Sequence, residues 1–202
     1  MEITEVFYPK TRTQWRNWLK RHHQKKKEIW VRKPHKDTGE PCISYDELVE
    51  ECLCFGWIDG VVKKLDAHSS VQRITPRRAK GSYLSELNRQ RIWKLQHLDL
   101  MTPAGIEPIA SQISSPEDPF EIPSEIKKQF RKNKTAWKNF QAFPVFYQRL
   151  KVGWIGDTIG GKHTDQARQQ RLDHLIEMSA KNKRYGTEPL ADIDLPKWPE
   201  EK

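Results

Sequence analysis

Glu51 to Asn88 contains ECLCFGWIDG (51–60), VVKKL (61–65), VQRITPRR (71–78) and GSYLSELN (81–88). Its residue order decides the fold. Cysteine, leucine and phenylalanine close a helix, and Gly56 is placed to end it in the left-handed conformation. IDGVVKKL and SSVQRIT then form two short strands around Asp66–Ser69, a hairpin of β-branched residues with polar turn residues between. Ser82 or Ser85 caps a further helix to about Leu98, with Leu84, Leu87, Leu95 and Leu98 on its buried stripe. The stretch also concentrates charge. Between Val71 and Lys94 stand Arg73, Arg77, Arg78, Lys80, Arg89, Arg91 and Lys94 against a single acid, Glu86.

Towards the N-terminus, Ser44 and Glu47 have capping-box spacing, with Leu48, Cys52 and Phe55 on one helix face. EIWVRKP reads as a strand, preceded by a helix capped by Thr11 or Thr13 and carrying Trp15, Trp18 and Leu19. Towards the C-terminus, Thr102 caps and Pro103 opens another helix. Ser111 to Pro123 reads as a loop. Helical pieces follow over Ser124–Asn133, Thr135–Phe143 and Pro144–Trp154. A turn with Gly156, Gly160 and Gly161 leads to a last helix from Thr164 to about Asn182. The expected class is α+β: a small antiparallel sheet in the N-terminal half packed with helices, and a mostly helical C-terminal half. One domain is expected over 1–185, with a flexible acidic and proline-containing tail over 186–202.

The chain has 202 residues and a net charge of +9, with 20 Lys+Arg against 12 Asp+Glu through Leu98. That asymmetry points to an acidic partner, nucleic acid or a small anion, or to a solvated basic surface. Only 36% of residues are apolar, so the eight Trp and seven Phe must supply much of the core. No run approaches the ~18 apolar residues of a membrane span. Three cysteines cannot all pair with one another, and no signal sequence opens the chain, so a reduced cytoplasmic protein is expected. Cys52 and Cys54 on one helix would point about 200° apart, which suits buried small side chains better than a zinc site. No motif implies a metal or cofactor.

In order along the chain, Trp18-Leu19 with His22 or His23, Cys54 to Gly60, Arg73 to Arg78 and Met101 to Gly105 resemble the motifs of the YdeI/OmpD-associated family, also labelled bacteriocin-protection proteins. The resemblance is strong over Val6 to Gly105 and looser beyond, through Trp154-Ile155, Arg168 and Arg171-Leu172. Leu84 and Leu100 stand where the family pattern has tryptophan and arginine. The resemblance implies a stress-protection role without a defined reaction.

The candidate ligand-binding residues are Trp57, Asp59, Arg73, Arg77, Ser85, Asn88 and Arg168. Arginine forks suit phosphate or carboxylate, a helix start offers free amides, and Trp57 would supply a stacking wall. A small anionic ligand is the first reading, and nucleic-acid binding by the basic 71–94 surface is its rival. The third reading is an enzyme built on Cys54, His68 and Asp59. Against all three stands a structural use of the arginines, with Arg73 and Arg77 paired to Asp59 or Asp66. No catalytic residue is assigned, and the oligomeric state is left open.

Overall fold

The computed structural model describes residues 2–78, 83–156, 165–191 and 193. Contacts divide the chain into two units, one of residues 1–82 and 95–113, the other of 83–94 and 114–202. The span 1–185 expected as one domain takes in the first unit and the second as far as residue 185.

The first unit holds a four-stranded sheet in the order β1-β2-β4-β3. Its strands are β1 (Val6–Phe7), β2 (Ile29–Pro34), β3 (Trp57–Lys64) and β4 (Ser69–Pro76). The β3–β4 hairpin and β2–β4 are antiparallel as expected, with Ile29 opposite Ile74 and Asp59 opposite Ile74 on the other side. β1 corrects the all-antiparallel expectation, because it pairs with β2 in parallel. Two residues carry no readable alternation, and the pairing rests on backbone bonds such as Trp30 N–H to the Glu5 carbonyl, 2.9 Å.

Helices α1 (Arg12–His22) and α2 (Tyr45–Cys54) pack with the sheet. Thr11 caps α1, and Ser44 with Glu47 forms the full capping box of α2. The core is aromatic: Trp15, Trp30 and Trp57 are at most 1% exposed, and Trp15 stacks on Trp18 at 5.2 Å. The buried indole N–H groups of Trp15 and Trp57 find acceptors, at the Leu48 and His23 carbonyls respectively, both 3.2 Å. Gly56 ends α2 at φ +71°. The freed Cys54 carbonyl accepts the Thr102 hydroxyl at 2.6 Å, which satisfies one of the unpaired acceptors at a helix end. Thr102 in turn caps α4 (Pro103–Ile106).

The second unit is helical, with α5 (Ser124–Phe130), α6 (Lys134–Ala142), α7 (Val145–Gly156) and α8 (Asp165–Ala180). The helix expected from Ser82 or Ser85 is α3 (Glu86–His97), whose residues 86–94 belong to this unit. Ser82, Lys80, Gly160, Gly161 and Thr164 lie outside the described residues. The core gathers Ile126, Phe130, Phe140, Tyr147, Ile155 and Leu175, with Phe130 stacked on Phe140 at 4.6 Å. α6 is capped by Asn133, whose side chain accepts from the Ala136 amide at 3.0 Å. The expected tail is described at 186–191 and 193, where Leu190 is buried.

Candidate functional site

Four of the sequence candidates stand in the first unit. Trp57 is a core residue, 1% exposed, with its ring edge-on to Trp18 at 5.8 Å. A ring so enclosed is not an open stacking wall. Asp59, beside it on β3, accepts from the Tyr45 hydroxyl and the Gln72 side-chain amide, both at 2.9 Å. Arg73 donates from Nε to Glu28 at 2.7 Å, so its partner is neither Asp59 nor Asp66. Bonds from the Thr4 hydroxyl and Arg73 hold the Glu28 carboxyl below the usual carboxylate range. Asp66 is committed to the hairpin turn, accepting from the His68 amide at 2.7 Å and the Ser69 hydroxyl at 2.8 Å. Arg77 is 7% exposed, and its guanidinium is pushed below its ordinary value by burial while the charge of Asp59 acts the other way. Asp59 and Arg77 therefore share one electrostatic neighbourhood. Tyr45, Gln72 and Glu28 are the partners sequence reasoning missed.

The other three candidates stand in the second unit. The Ser85 hydroxyl accepts from the Asn88 amide at 3.3 Å, and the Asn88 side-chain oxygen accepts from Arg91 at 2.9 Å. Both bonds are local to the start of α3, the usual work of serine and asparagine at a helix start. Arg168 is different. It is exposed on α8 and lines a cavity of about 540 Å³ in the second unit.

That cavity lies among α5, α7 and α8. Ile126, Val152, Ile155 and Leu172 give it apolar walls, and Lys128, Lys132 and Arg168 bring three cations to its rim. Glu125 and Asp165 are also at the rim, but both sit in the first turns of their helices, where a carboxylate complements the helix dipole. Among the described residues no ion pair engages the three cations; Lys132 donates to Gln129 at 2.8 Å. The volume falls in the range of small-molecule sites, ~300–1,000 Å³. In the sequence the only signal for it is the basic run around Lys127–Lys134 following Ile126.

The cysteine–histidine arrangement is not assembled. Cys54 is fully buried, while His68 is exposed in the hairpin turn. Burial pushes the Cys54 thiol up to about 11 and Cys52 well above its ordinary value, so neither is a ready thiolate at neutral pH. Among the described residues no group of three His, Cys, Asp or Glu side chains could hold a metal ion, and no helix is long and apolar enough to cross a membrane.

Two family models match the chain. A domain of unknown function (DUF8412) matches residues 7–108, and the bacteriocin-protection, YdeI or OmpD-associated family matches 119–182. The second match supports the family resemblance seen in the sequence but relocates it: the residues that carried it most strongly, Val6 to Gly105, fall under the first model. No curated protein and no solved structure matches.

Proposed function

Because this chain belongs to the DUF8412 family through its first half and matches the bacteriocin-protection, YdeI or OmpD-associated family in its second, we propose that it is a binding protein whose ligand is a small amphipathic anion held in the cavity among α5, α7 and α8. The carrying observation is the combination of apolar walls with Lys128, Lys132 and Arg168 at the rim. An aliphatic or aromatic body would displace water from Ile126, Val152, Ile155 and Leu172, contributing ~25 cal/mol per Å² of apolar surface buried. A carboxylate, sulfonate or phosphate would face the cations, with Arg168 able to grip two oxygens at once. The anionic ligand inferred from the sequence is thus kept, together with Arg168, and its site is moved away from the Arg73–Arg77 segment. Binding without chemistry agrees with the buried, protonated thiols.

The test is a fluorescence titration with 1-anilinonaphthalene-8-sulfonate, followed by competition with decanoate or with decyltrimethylammonium. Saturable binding displaced by the carboxylate and not by the ammonium compound is expected. Arg168→Glu should weaken it ~10-fold, about 1.4 kcal/mol, and Leu172→Trp should abolish it in a variant that still melts cooperatively. Equal displacement by both competitors, or an Arg168→Glu variant that binds normally, would sink the reading.

A further inference from the structure

Two carboxamides line the cavity among α5, α7 and α8, Gln129 on α5 and Gln169 on α8. Each is engaged at one end, and in opposite senses. Lys132 Nζ lies 2.8 Å from Gln129 Oε1. An ammonium only donates, so Gln129 commits its carbonyl there and keeps two N–H donors. On α8, Gln169 Nε2 lies 2.8 Å from Asp173 Oδ1. A carboxylate only accepts, so Gln169 commits its amide nitrogen and keeps its carbonyl oxygen. The chemistry of the two partners thus fixes which end of each carboxamide is which. Among the described residues neither remaining end meets a protein partner.

A trans secondary amide is the complement of that pair. It points its C=O and its N–H to opposite sides, so the carbonyl can accept from Gln129 on one wall while the N–H donates to Gln169 on the other. The cations set where a charge stands relative to this amide. Lys132 is bonded to Gln129 itself, Arg168 is the chain neighbour of Gln169, and both cations line the cavity. Carboxamide and cation are adjacent on each wall, which calls for an anion close to the amide in the ligand. A single carbon between amide nitrogen and carboxylate meets that requirement. With Lys128 the lining holds three cations against the carboxylates of Glu125 and Asp165, an excess that suits one carboxylate better than a phosphomonoester dianion. The rest of the wall, Ile126, Val152, Ile155 and Leu172, is aliphatic. A further amide lying against it would lose water without gaining a partner, so an alkyl chain fits there and a longer peptide does not.

The geometry points to an N-acyl α-amino acid as the ligand class of this cavity, a class that rests on the anion-cavity reading above and narrows it. The alkyl chain lies on the aliphatic walls, the amide sits between Gln129 and Gln169, and the carboxylate meets Lys132 and Arg168. Gln169 is then the residue that tells an amide from an ester. An ester of the same length has the same trans shape, but it sets an oxygen where the amide has N–H. That oxygen and Gln169 Oε1 are both acceptors, and each has given up water to reach the other.

The experiment is displacement of 1-anilinonaphthalene-8-sulfonate from the full chain by N-decanoylglycine, by its ester analogue decanoyloxyacetate and by decanoate. N-decanoylglycine should compete ~10-fold better than the ester, the loss expected when an acceptor covered by the ligand is left facing another acceptor. In Gln169→Met, which keeps the length of the side chain and removes the acceptor, the ratio should fall to about one. Gln169 is exposed on α8, so the substitution lies outside the core, and the ratio is internal to each protein. Equal competition by amide and ester while decanoate still displaces the dye would overturn the acyl-amino-acid assignment and leave the anion cavity standing. A preference for the amide that persists in Gln169→Met would overturn it as well. Failure of decanoate to displace the dye would remove the anion cavity itself, and the narrower class with it.

Discussion

Glu51 is fully buried, yet its carboxylate is accounted for: Arg12 reaches it at 2.6 Å and Arg16 at 2.7 Å. A buried charge with two hydrogen-bonded partners is tolerated, whereas one left without an acid shifts towards its neutral form. Lys151 is the second case, and its pKa has a consequence for stability. Its folded value, about 8, lies below the ordinary 10.5, so between those pH values the unfolded chain holds a proton the folded chain lacks. Stability from this group therefore rises as pH increases from 8 to 10.5 and is absent below. Lys151→Met should raise the Tm at pH 7, and the gain should shrink as the pH is raised towards 10. Thermal denaturation followed by circular dichroism at both pH values checks this; a gain that grows with pH would contradict it.

At the scale of elements, α2 shows which structural features are local. Its capping box, Ser44 with Glu47, joins residues three apart and is readable as a spacing. Its other end is governed by a close approach that no spacing reveals. A Cβ on Gly105 would stand 2.4 Å from the Cys54 carbonyl oxygen and 2.6 Å from that of Leu53, both backbone atoms. Gly39, by contrast, needs φ +66° but has nothing within 4 Å of a Cβ. Gly39→Ala should cost ~1 kcal/mol from backbone conformation alone, and Gly105→Ala about 2–3 kcal/mol from overpacking. Urea denaturation of the two variants decides; the order reversed would show that the α2–α4 contact gives way easily. β1 lies at the opposite limit of legibility, since Val6 and Phe7 are too few to show a period.

For the whole molecule, a net charge of +9 does not say which cations are open to a partner. Arg12, Arg16, Arg32, Arg73, Arg89, Arg149 and Arg184 each meet a carboxylate, and Arg77 and Arg91 are buried. The dense 71–94 arginine segment is thus largely engaged within the fold. Fluorescence anisotropy with a labelled single-stranded oligonucleotide should show only weak binding at low salt, lost by roughly 150 mM as counterions compete, and unchanged in Arg73→Ala. Tight binding at that salt, reduced in Arg73→Ala, would restore the nucleic-acid reading. The two family matches, at 7–108 and 119–182, each fall mostly within one of the two contact units.

By itself the amino-acid sequence determined the caps at Ser44 and Thr102, narrowed the first to Thr11 or Thr13, and determined the glycine stop at Gly56, the hairpin around Asp66–Ser69 and the succession of helices after Ser124. These depend on groups a few residues apart, whose geometry is set by the backbone between them. Tertiary structure alone decided which acid meets which arginine: Arg73 finds Glu28 across 45 residues, and Arg12 finds Glu51 across 39. It likewise decided that Trp57 is core, that Arg168 edges a cavity and that Lys151 lies under a tyrosine ring. Ionisation and accessibility follow from desolvation by distant parts of the chain, so residue type and spacing could nominate the charged groups but not distinguish those holding the fold together from those open to a ligand.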